Sequence, residues 1–332
     1  MFILSLFKSQ YNLKATTLFQ LLKGKRTLSV LLFGYFNDLL PFLGVMPQLT
    51  EQVFQREIDA LVNQGFLAVH QSYQITSAGL ARLEAEELPQ LATLDGYRYQ
   101  KCQDEGRRLL LFSVQVISEG LHHEKRYLPL ETSPFYTQQI RNWLRQVPAS
   151  GSELLYEEWQ SLFLKHSQAD LLARQFTGWQ TTGASQQQLY PLTAPWHTLQ
   201  YWNDWHQLFA LLSKETTPLL LGLVGATLKN GLNQSMLETR QLLKAAPTAT
   251  LTELATRRRV KESTIRDHLL ELAMLDLLPF YPASIYDEVV AQAKLPMREL
   301  DYRQFVTTKE PQDYFWFRLA QIKQKREETK WI

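Results

Sequence analysis

The spacing of apolar residues between positions 250 and 272 constrains the fold of this chain more than any other feature. The apolar positions fall on one face of each of two consecutive short helices, with one apolar residue between them, as in a helix-turn-helix. These positions are Leu251, Leu254, Ala255, Val260, Ile265, Leu269 and Leu272. Thr250 or Thr252 is the expected cap of the first helix. Glu262 or Ser263 is expected to begin the second helix.

The turn and the second helix of this segment carry polar residues suited to DNA. In a helix-turn-helix the N-terminal part of the second helix enters the major groove, and the first helix crosses the backbone. Cations at the turn and hydroxyls on the second helix are suited to contacts with phosphates. An arginine on the second helix is suited to a guanine edge or a phosphate. The predicted DNA-contacting residues of this segment are Arg257, Arg258, Arg259, Lys261, Ser263, Thr264 and Arg266.

Two features of the same segment favour a different use of the fold. The turn position that glycine usually fills is Arg259, which requires a left-handed or adjusted backbone. Asp267 and Glu271 place negative charge on the second helix. The alternative interpretation is therefore a trihelical unit that binds another protein. The segment 279–300 is expected to pack on this unit.

Residues 1–92 are predicted to form an N-terminal winged-helix-like unit. Its expected elements are helices at 16–22, 28–43, 52–64 and 77–87, with a short hairpin at 66–75. Thr50 is the expected N-cap of the third helix and Gly65 its end. The alternative is a small α+β packing module that touches no DNA.

The rest of the chain completes a mainly α architecture. Residues 93–225 show no convincing strand alternation and are predicted to be a helical spacer domain, followed by a C-terminal helix-turn-helix domain at 226–332. One interpretation of Trp196, Trp202 and Trp205 is stacking on single-stranded bases. Helical spacing favours core packing instead, and the residues that follow it are Leu199, Trp202, His206, Phe209 and Leu212.

Composition excludes several classes of protein. A single cysteine, Cys102, rules out a disulfide framework or a cysteine-based zinc site within one chain, so we expect a cytoplasmic protein. No apolar run reaches the roughly 20 residues that a membrane helix needs. The 35 basic residues barely exceed the 33 acidic residues, and the excess lies in the C-terminal part.

Several common catalytic motifs are absent from the sequence. The chain lacks a P-loop, a dinucleotide-binding glycine motif, a nucleophile elbow and a zinc-protease helix motif. His122, His123 and Glu124 are adjacent, and neighbouring helical positions point apart, so a metal site is not expected there. We therefore expect no enzymatic activity, no metal and no cofactor.

Three segments together resemble a known family. Leu-Leu-Lys-Gly-Lys-Arg-Thr at 21–27, Phe-Gln-Arg-Glu-Ile-Asp-Ala-Leu-Val-Asn-Gln-Gly-Phe-Leu at 54–67 and the segment 250–272 occur in the order found in YpbB-like proteins of Gram-positive bacteria. Those proteins carry a C-terminal helicase helix-turn-helix domain, which also ends some RecQ-type helicases. The resemblance implies a stand-alone accessory protein, typically encoded beside a RecQ-like helicase. It adds Lys23, Lys25 and Arg26 as candidate DNA contacts and transfers no catalytic residue.

These observations lead to three functional hypotheses. The first is a DNA-binding accessory protein of a RecQ-type helicase in DNA repair or recombination. The second is an adaptor that docks on the helicase without direct DNA contact. The third, a transcription regulator, is less favoured because Ser263, Thr264 and Arg266 are the only good base readers and no dimerisation helix is evident.

Overall fold

The residues that the structure describes form helices and one short hairpin. The computed structural model describes residues 1–8, 12–148, 150–229, 231–278 and 311–329, and the segment 279–300 lies outside these residues. The described helices are α1 (Phe2–Ser5), α2 (Ala15–Leu22), α3 (Leu28–Phe36), α4 (Glu51–Asn63), α5 (Ser77–Glu84), α6 (Gly96–Tyr99), α7 (Gln103–Leu121), α8 (Pro134–Leu144), α9 (Gly151–Lys165), α10 (Ala169–Ala173), α11 (Gln186–Leu189), α12 (Trp196–Lys214), α13 (Pro218–Val224), α14 (Gln234–Ala245), α15 (Leu251–Arg258), α16 (Glu262–Met274) and α17 (Pro311–Thr329). The prediction of a mainly α fold is confirmed.

Contacts group the chain into two compact units. The first unit comprises Met1–Lys25 and Leu40–Gly231, and the second comprises Arg26–Leu39 and Leu232–Ile332. The second unit thus takes α3 from the N-terminal part of the sequence. The division into domains at 1–92, 93–225 and 226–332, including the winged-helix interpretation, stays a prediction.

The hairpin of the first unit follows α4. Strands β1 (Leu67–Val69) and β2 (Tyr73–Ile75) are antiparallel, with Leu67 opposite Ile75. Both of these residues are buried, so one face of the hairpin packs inward. Leu13 extends the pairing through two hydrogen bonds of 2.9 Å with the backbone of Tyr73. Thr50 caps α4, as predicted, by accepting the Val53 N–H at 3.3 Å.

The helix predicted at 28–43 is wrong in its second half. Helix α3 ends at Phe36, and Asp38 takes a left-handed conformation with φ 58°. The Leu39 N–H bonds back to the Gly34 carbonyl at 2.8 Å, which closes the helix end. The remaining apolar residues form a separate 3-10 turn, Leu40–Phe42, in which Pro41 has no N–H to continue an α-helix. The apolar periodicity runs through this break, and Pro41 was the signal in the sequence that an α-helix does not continue there.

The middle of the first unit has a core of aromatic and aliphatic side chains from α7, α8, α9, α12 and α13. Trp205 is fully buried and donates its indole N–H to Gln175 at 3.0 Å, which agrees with core packing for this residue. The carboxylate of Glu158 accepts the backbone N–H groups of Leu219 and Leu220, both at 2.9 Å, and so caps the start of α13. No helix in the described part of the chain is both long and apolar enough to cross a membrane.

The second unit assembles α3 with the C-terminal helices. The hydroxyl of Tyr35 donates to the Ile322 carbonyl at 3.2 Å. The ammonium of Lys325 donates to the Phe36 carbonyl at 3.0 Å and pairs with Asp38 at 2.7 Å. The α17 residues Phe315, Phe317, Leu319, Ala320 and Ile322 are buried. Residues nearly 290 positions apart in the sequence thus hold one core together.

Candidate nucleic-acid interface

The first helix of the 250–272 segment begins with a capping box. The Thr250 hydroxyl accepts the Glu253 N–H at 3.2 Å, and the Glu253 carboxylate accepts the Thr250 N–H at 2.8 Å. Hydrogen bonding of the Glu253 carboxylate to the backbone and the side chain of Thr250 lowers the pKa of Glu253. Thr252 has a different partner, because its hydroxyl donates to Glu262 at 2.6 Å. Of the two expected caps, Thr250 is the one that caps α15.

The turn between α15 and α16 is made by a left-handed residue. Arg259 has φ 53° and ψ 43°, which is the left-handed conformation that a glycine usually adopts at this turn position. The Val260 N–H then bonds to the Ala255 carbonyl at 3.1 Å. Helix α16 begins at Glu262 after Lys261, where no side chain caps it. Its first N–H groups therefore lack a side-chain acceptor.

A buried stripe holds the two helices against α14. The buried residues that contribute are Leu254, Ala255, Ile265, Leu269 and Leu272. His268 lies in the same interior and shares a hydrogen bond of 2.9 Å with Thr239 on α14. Burial, together with the nearby charge of Arg258, lowers the pKa of His268. The imidazole is therefore a neutral packing group.

Arg258 faces the interior of this helical unit. Its guanidinium pairs with Glu238, donates to the Ser235 carbonyl and hydroxyl at 3.0 Å each, and lies 3.3 Å from the Thr239 hydroxyl. The Arg258 side chain is only 15% exposed. The hydrogen bonds fasten α15 to α14, so most of the donors of this arginine are already engaged.

Two other predicted DNA contacts also have acidic partners. Arg266 pairs with Glu262 at 2.8 Å, and its side chain is 19% exposed. Arg26, in the α3 segment of the second unit, pairs with Glu271 at 3.6 Å. Glu262 binds both Arg266 and Thr252, a linking role that the sequence analysis did not assign. A carboxylate four positions before an arginine on one helix was the signal available for that pair.

The exposed cations of the turn form a smaller set than the sequence predicted. Arg257, Arg259 and Lys261, which we call the turn cations, are all exposed. None of the three forms an ion pair with any residue that the structure describes. They precede the N-terminus of a 13-residue helix, where the helix dipole adds positive potential. Charge and dipole together favour a phosphate at this end of α16.

The remaining predicted residues divide between exposed and half-buried positions. Ser263 is exposed and Thr264 is half-buried in the first turn of α16. Asp267, one turn further along, is exposed, and partial burial of its carboxyl raises its pKa. Lys23 and Lys25 are exposed and belong to the first unit. Their prediction as DNA contacts stays a prediction.

An apolar cavity lies in the second unit near the start of α15. It has a volume of about 480 Å³, and its lining includes Leu251, Phe315, Trp316 and Leu319. The cavity suits an apolar side chain better than a charged ligand. Among the described residues no group of three or more histidine, cysteine, aspartate or glutamate side chains is placed to hold a metal ion.

Comparison with known proteins gives one informative similarity. The chain is 23% identical over 337 residues to Protein YpbB of Bacillus subtilis (strain 168), and the alignment covers 93% of this chain and 92% of that protein. Similarity along nearly the whole length supports membership of a YpbB-like family. No family model matches the chain, and no solved structure matches it significantly.

Proposed function

We propose that this chain is a non-enzymatic DNA-binding accessory protein that acts with a RecQ-type helicase in DNA repair or recombination. The observation that carries the DNA contact is the set of turn cations, exposed and unpaired among the described residues, beside the N-terminus of α16. The helicase partner and the cytoplasmic location rest on the family resemblance and on the composition of the sequence.

The proposed contact surface contains fewer residues than the sequence pattern predicted. The turn cations neutralise phosphates, and the Ser263 hydroxyl donates to a phosphate or a base edge in the adjoining groove. Arg258 holds α15 on α14 and so positions Arg257 and Arg259. Arg266 reaches a base only after leaving Glu262, which adds a cost to direct readout of sequence. Binding through phosphates predicts weak sequence preference and strong salt dependence.

The experiment that tests this function is a salt titration of binding to fluorescent duplex, forked and single-stranded DNA, first without and then with the helicase. Salt-sensitive binding by the protein alone supports a direct DNA contact and identifies the preferred form of DNA. Absence of binding at every salt concentration, with and without the helicase, contradicts the proposal.

A second candidate function is a protein adaptor that docks on the helicase. The apolar cavity near Leu251 and Trp316 favours it, because an apolar side chain of a partner fits there. The ion pairs of Arg258 and Arg266 favour it as well, because they reduce the charge left for DNA. Association with the helicase that survives nuclease and high salt supports the adaptor, and failure to associate at any salt concentration argues against it.

A further inference from the structure

The first unit carries an exposed aromatic stack that the sequence analysis did not identify. The rings of His122 and Trp179 lie parallel, with centroids 3.9 Å apart and an angle of 14° between their planes. Both residues are exposed, and 38% of Trp179 remains accessible. The exposed part of the indole is therefore available to a partner.

The stack is held in a fixed position by the turn that carries Trp179. Gly178 and Thr181 exchange two backbone hydrogen bonds of 3.0 Å around Trp179 and Gln180. The backbone N–H of Trp179 donates to the Ser118 hydroxyl on α7 at 3.0 Å. A Cβ atom at Gly178 would lie 2.5 Å from that hydroxyl, so only glycine permits such a close approach. The indole is thus presented by a pinned turn.

Basic residues follow His122 on the segment after α7. His123, Lys125 and Arg126 are exposed, and none of them forms an ion pair with a residue that the structure describes. Arg126 lies four residues after His122, so its Cα is at most about 14 Å away. The nearest acid in sequence, Glu124, accepts the backbone N–H of Arg126 at 2.6 Å. An accessible aromatic face flanked by unpaired cations matches how single-stranded nucleic acids are held.

One face of α7 leads from the stack to an apolar cleft. Val114, Ser118 and His122 are spaced four residues apart and share one face of that helix and its C-cap. Val114 lines an apolar cleft of about 420 Å³. Its aromatic lining residues are Tyr156, Trp159, Phe163 and Phe176. Glu153 and Glu157 are exposed on α9, the helix that carries Tyr156 and Trp159, so we assign the phosphate backbone to the cationic end at Trp179.

We propose that Trp179, backed by His122 and flanked by Lys125 and Arg126, stacks on an unpaired base of a single-stranded nucleic acid. The indole supplies the face on which the base stacks, and the cations hold the adjoining phosphates. The site lies in the first unit and does not depend on the turn cations of the second. It gives the protein a means of recognising unpaired strands in addition to duplex.

The test compares binding of fluorescent dT12 with binding of an abasic oligomer of the same length, which has the same phosphates and no bases. The parent protein should bind dT12 more tightly than the abasic strand. Trp179→Ala should weaken dT12 binding by about 5- to 150-fold, the loss of one base–aromatic stack, and leave abasic binding unchanged. Trp179→Phe should restore part of the preference because it keeps an aromatic face.

Controls separate this site from the proposed duplex contact. Phe135→Ala removes another exposed aromatic of the first unit and should leave the dT12 preference intact. Replacing the turn cations should reduce duplex binding and preserve the preference for dT12 over the abasic strand. Equal binding of both oligomers by the parent protein overturns the inference, as does a folded Trp179→Ala variant with parental dT12 affinity. Loss of the dT12 preference in the turn-cation variant would place base stacking in the second unit and overturn it as well.

Discussion

The guanidinium of Arg258 pairs with the carboxylate of Glu238, while the next residue, Arg259, is exposed in a left-handed turn. The two adjacent arginines therefore have different roles. Arg258 binds α15 to α14, and Arg259 is available to a ligand. Substitution of Arg258 should therefore change the stability of the second unit, whereas substitution of Arg259 should change its surface charge.

Replacing Arg258 with alanine should mainly reduce stability. The change removes the pair with Glu238 and the hydrogen bonds to Ser235 and Thr239. Because Glu238 is 43% exposed and water screens the pair, we expect a loss of about 1–3 kcal/mol in the free energy of unfolding. Denaturant unfolding measures it, with Arg257→Ala as the control at about 0.5 kcal/mol or less. Equal stability of the two variants would contradict the structural role of Arg258.

Replacing Arg259 should remove a positive charge, and its effect on the free energy of unfolding should depend on the new side chain. Arg259→Gly relieves the left-handed strain while freeing the unfolded chain, so stability should stay within about 1 kcal/mol of the parent. Arg259→Val should cost about 1–3 kcal/mol, because a β-branched residue disfavours this conformation. Thermal unfolding gives the stabilities and DNA titration gives the affinities. Both variants should lose the same DNA affinity, and a difference between them would show that turn geometry dominates over charge.

The capping box predicts unequal effects for two neighbouring threonines. Thr250→Ala removes the cap of α15 and should lower the free energy of unfolding by about 1 kcal/mol. Thr252→Ala removes one exposed hydrogen bond to Glu262 and should cost about 0.5 kcal/mol or less. Chemical denaturation of the two variants decides the matter, since the reverse order would mean that Thr252 is the cap.

Burial of His206 predicts an acid-sensitive first unit. Its ring accepts the Asp95 N–H at 2.9 Å and lies 2.8 Å from the Gln103 side-chain oxygen. Burial lowers the pKa of His206 from 6.5 to about 3. The folded state therefore binds its proton less readily than the unfolded state. The contribution of neutral His206 to the free energy of unfolding is therefore complete above pH 6.5. It falls by roughly 1.4 kcal/mol per pH unit between pH 6.5 and about 3.

The variant His206→Gln should flatten that dependence. Asp204 has the opposite sign, because burial raises its pKa and its protonation favours the folded state. The informative quantity is therefore the difference in unfolding free energy between parent and variant, measured from pH 6.5 to 4.5. If the unfolding free energy of both proteins had the same slope against pH, His206 would not take up a proton on unfolding.

The sequence predicted local structure better than long-range packing. The helix boundaries around Thr50 and the left-handed Arg259 follow from caps and turn chemistry, which neighbouring residues determine. The inward position of Arg258 also had a local signal, because it lies four residues after Leu254 and seven after Leu251 on the apolar face. Charge pattern alone grouped it with its exposed neighbours.

Other features had no local signal. The place of α3 in the second unit depends on contacts such as Tyr35 with Ile322, which no periodicity within either segment reveals. The stack of Trp179 on His122 joins residues on two separate elements in the same way. Long-range partners of this kind are selected by the whole fold, so the candidate sites that depend on them became visible only in the structure.

The proposed contact of the turn cations with DNA phosphates is tested most directly by the salt dependence of duplex affinity. The combined variant Arg257→Ala, Arg259→Gly and Lys261→Ala should bind duplex more weakly, with a slope of log affinity against log salt reduced by about 2.7. Lys261→Ala alone should reduce the slope by about 0.9, whereas Lys244→Ala, an exposed lysine on α14, should leave it unchanged. Parental affinity and slope in a folded combined variant would contradict the claim.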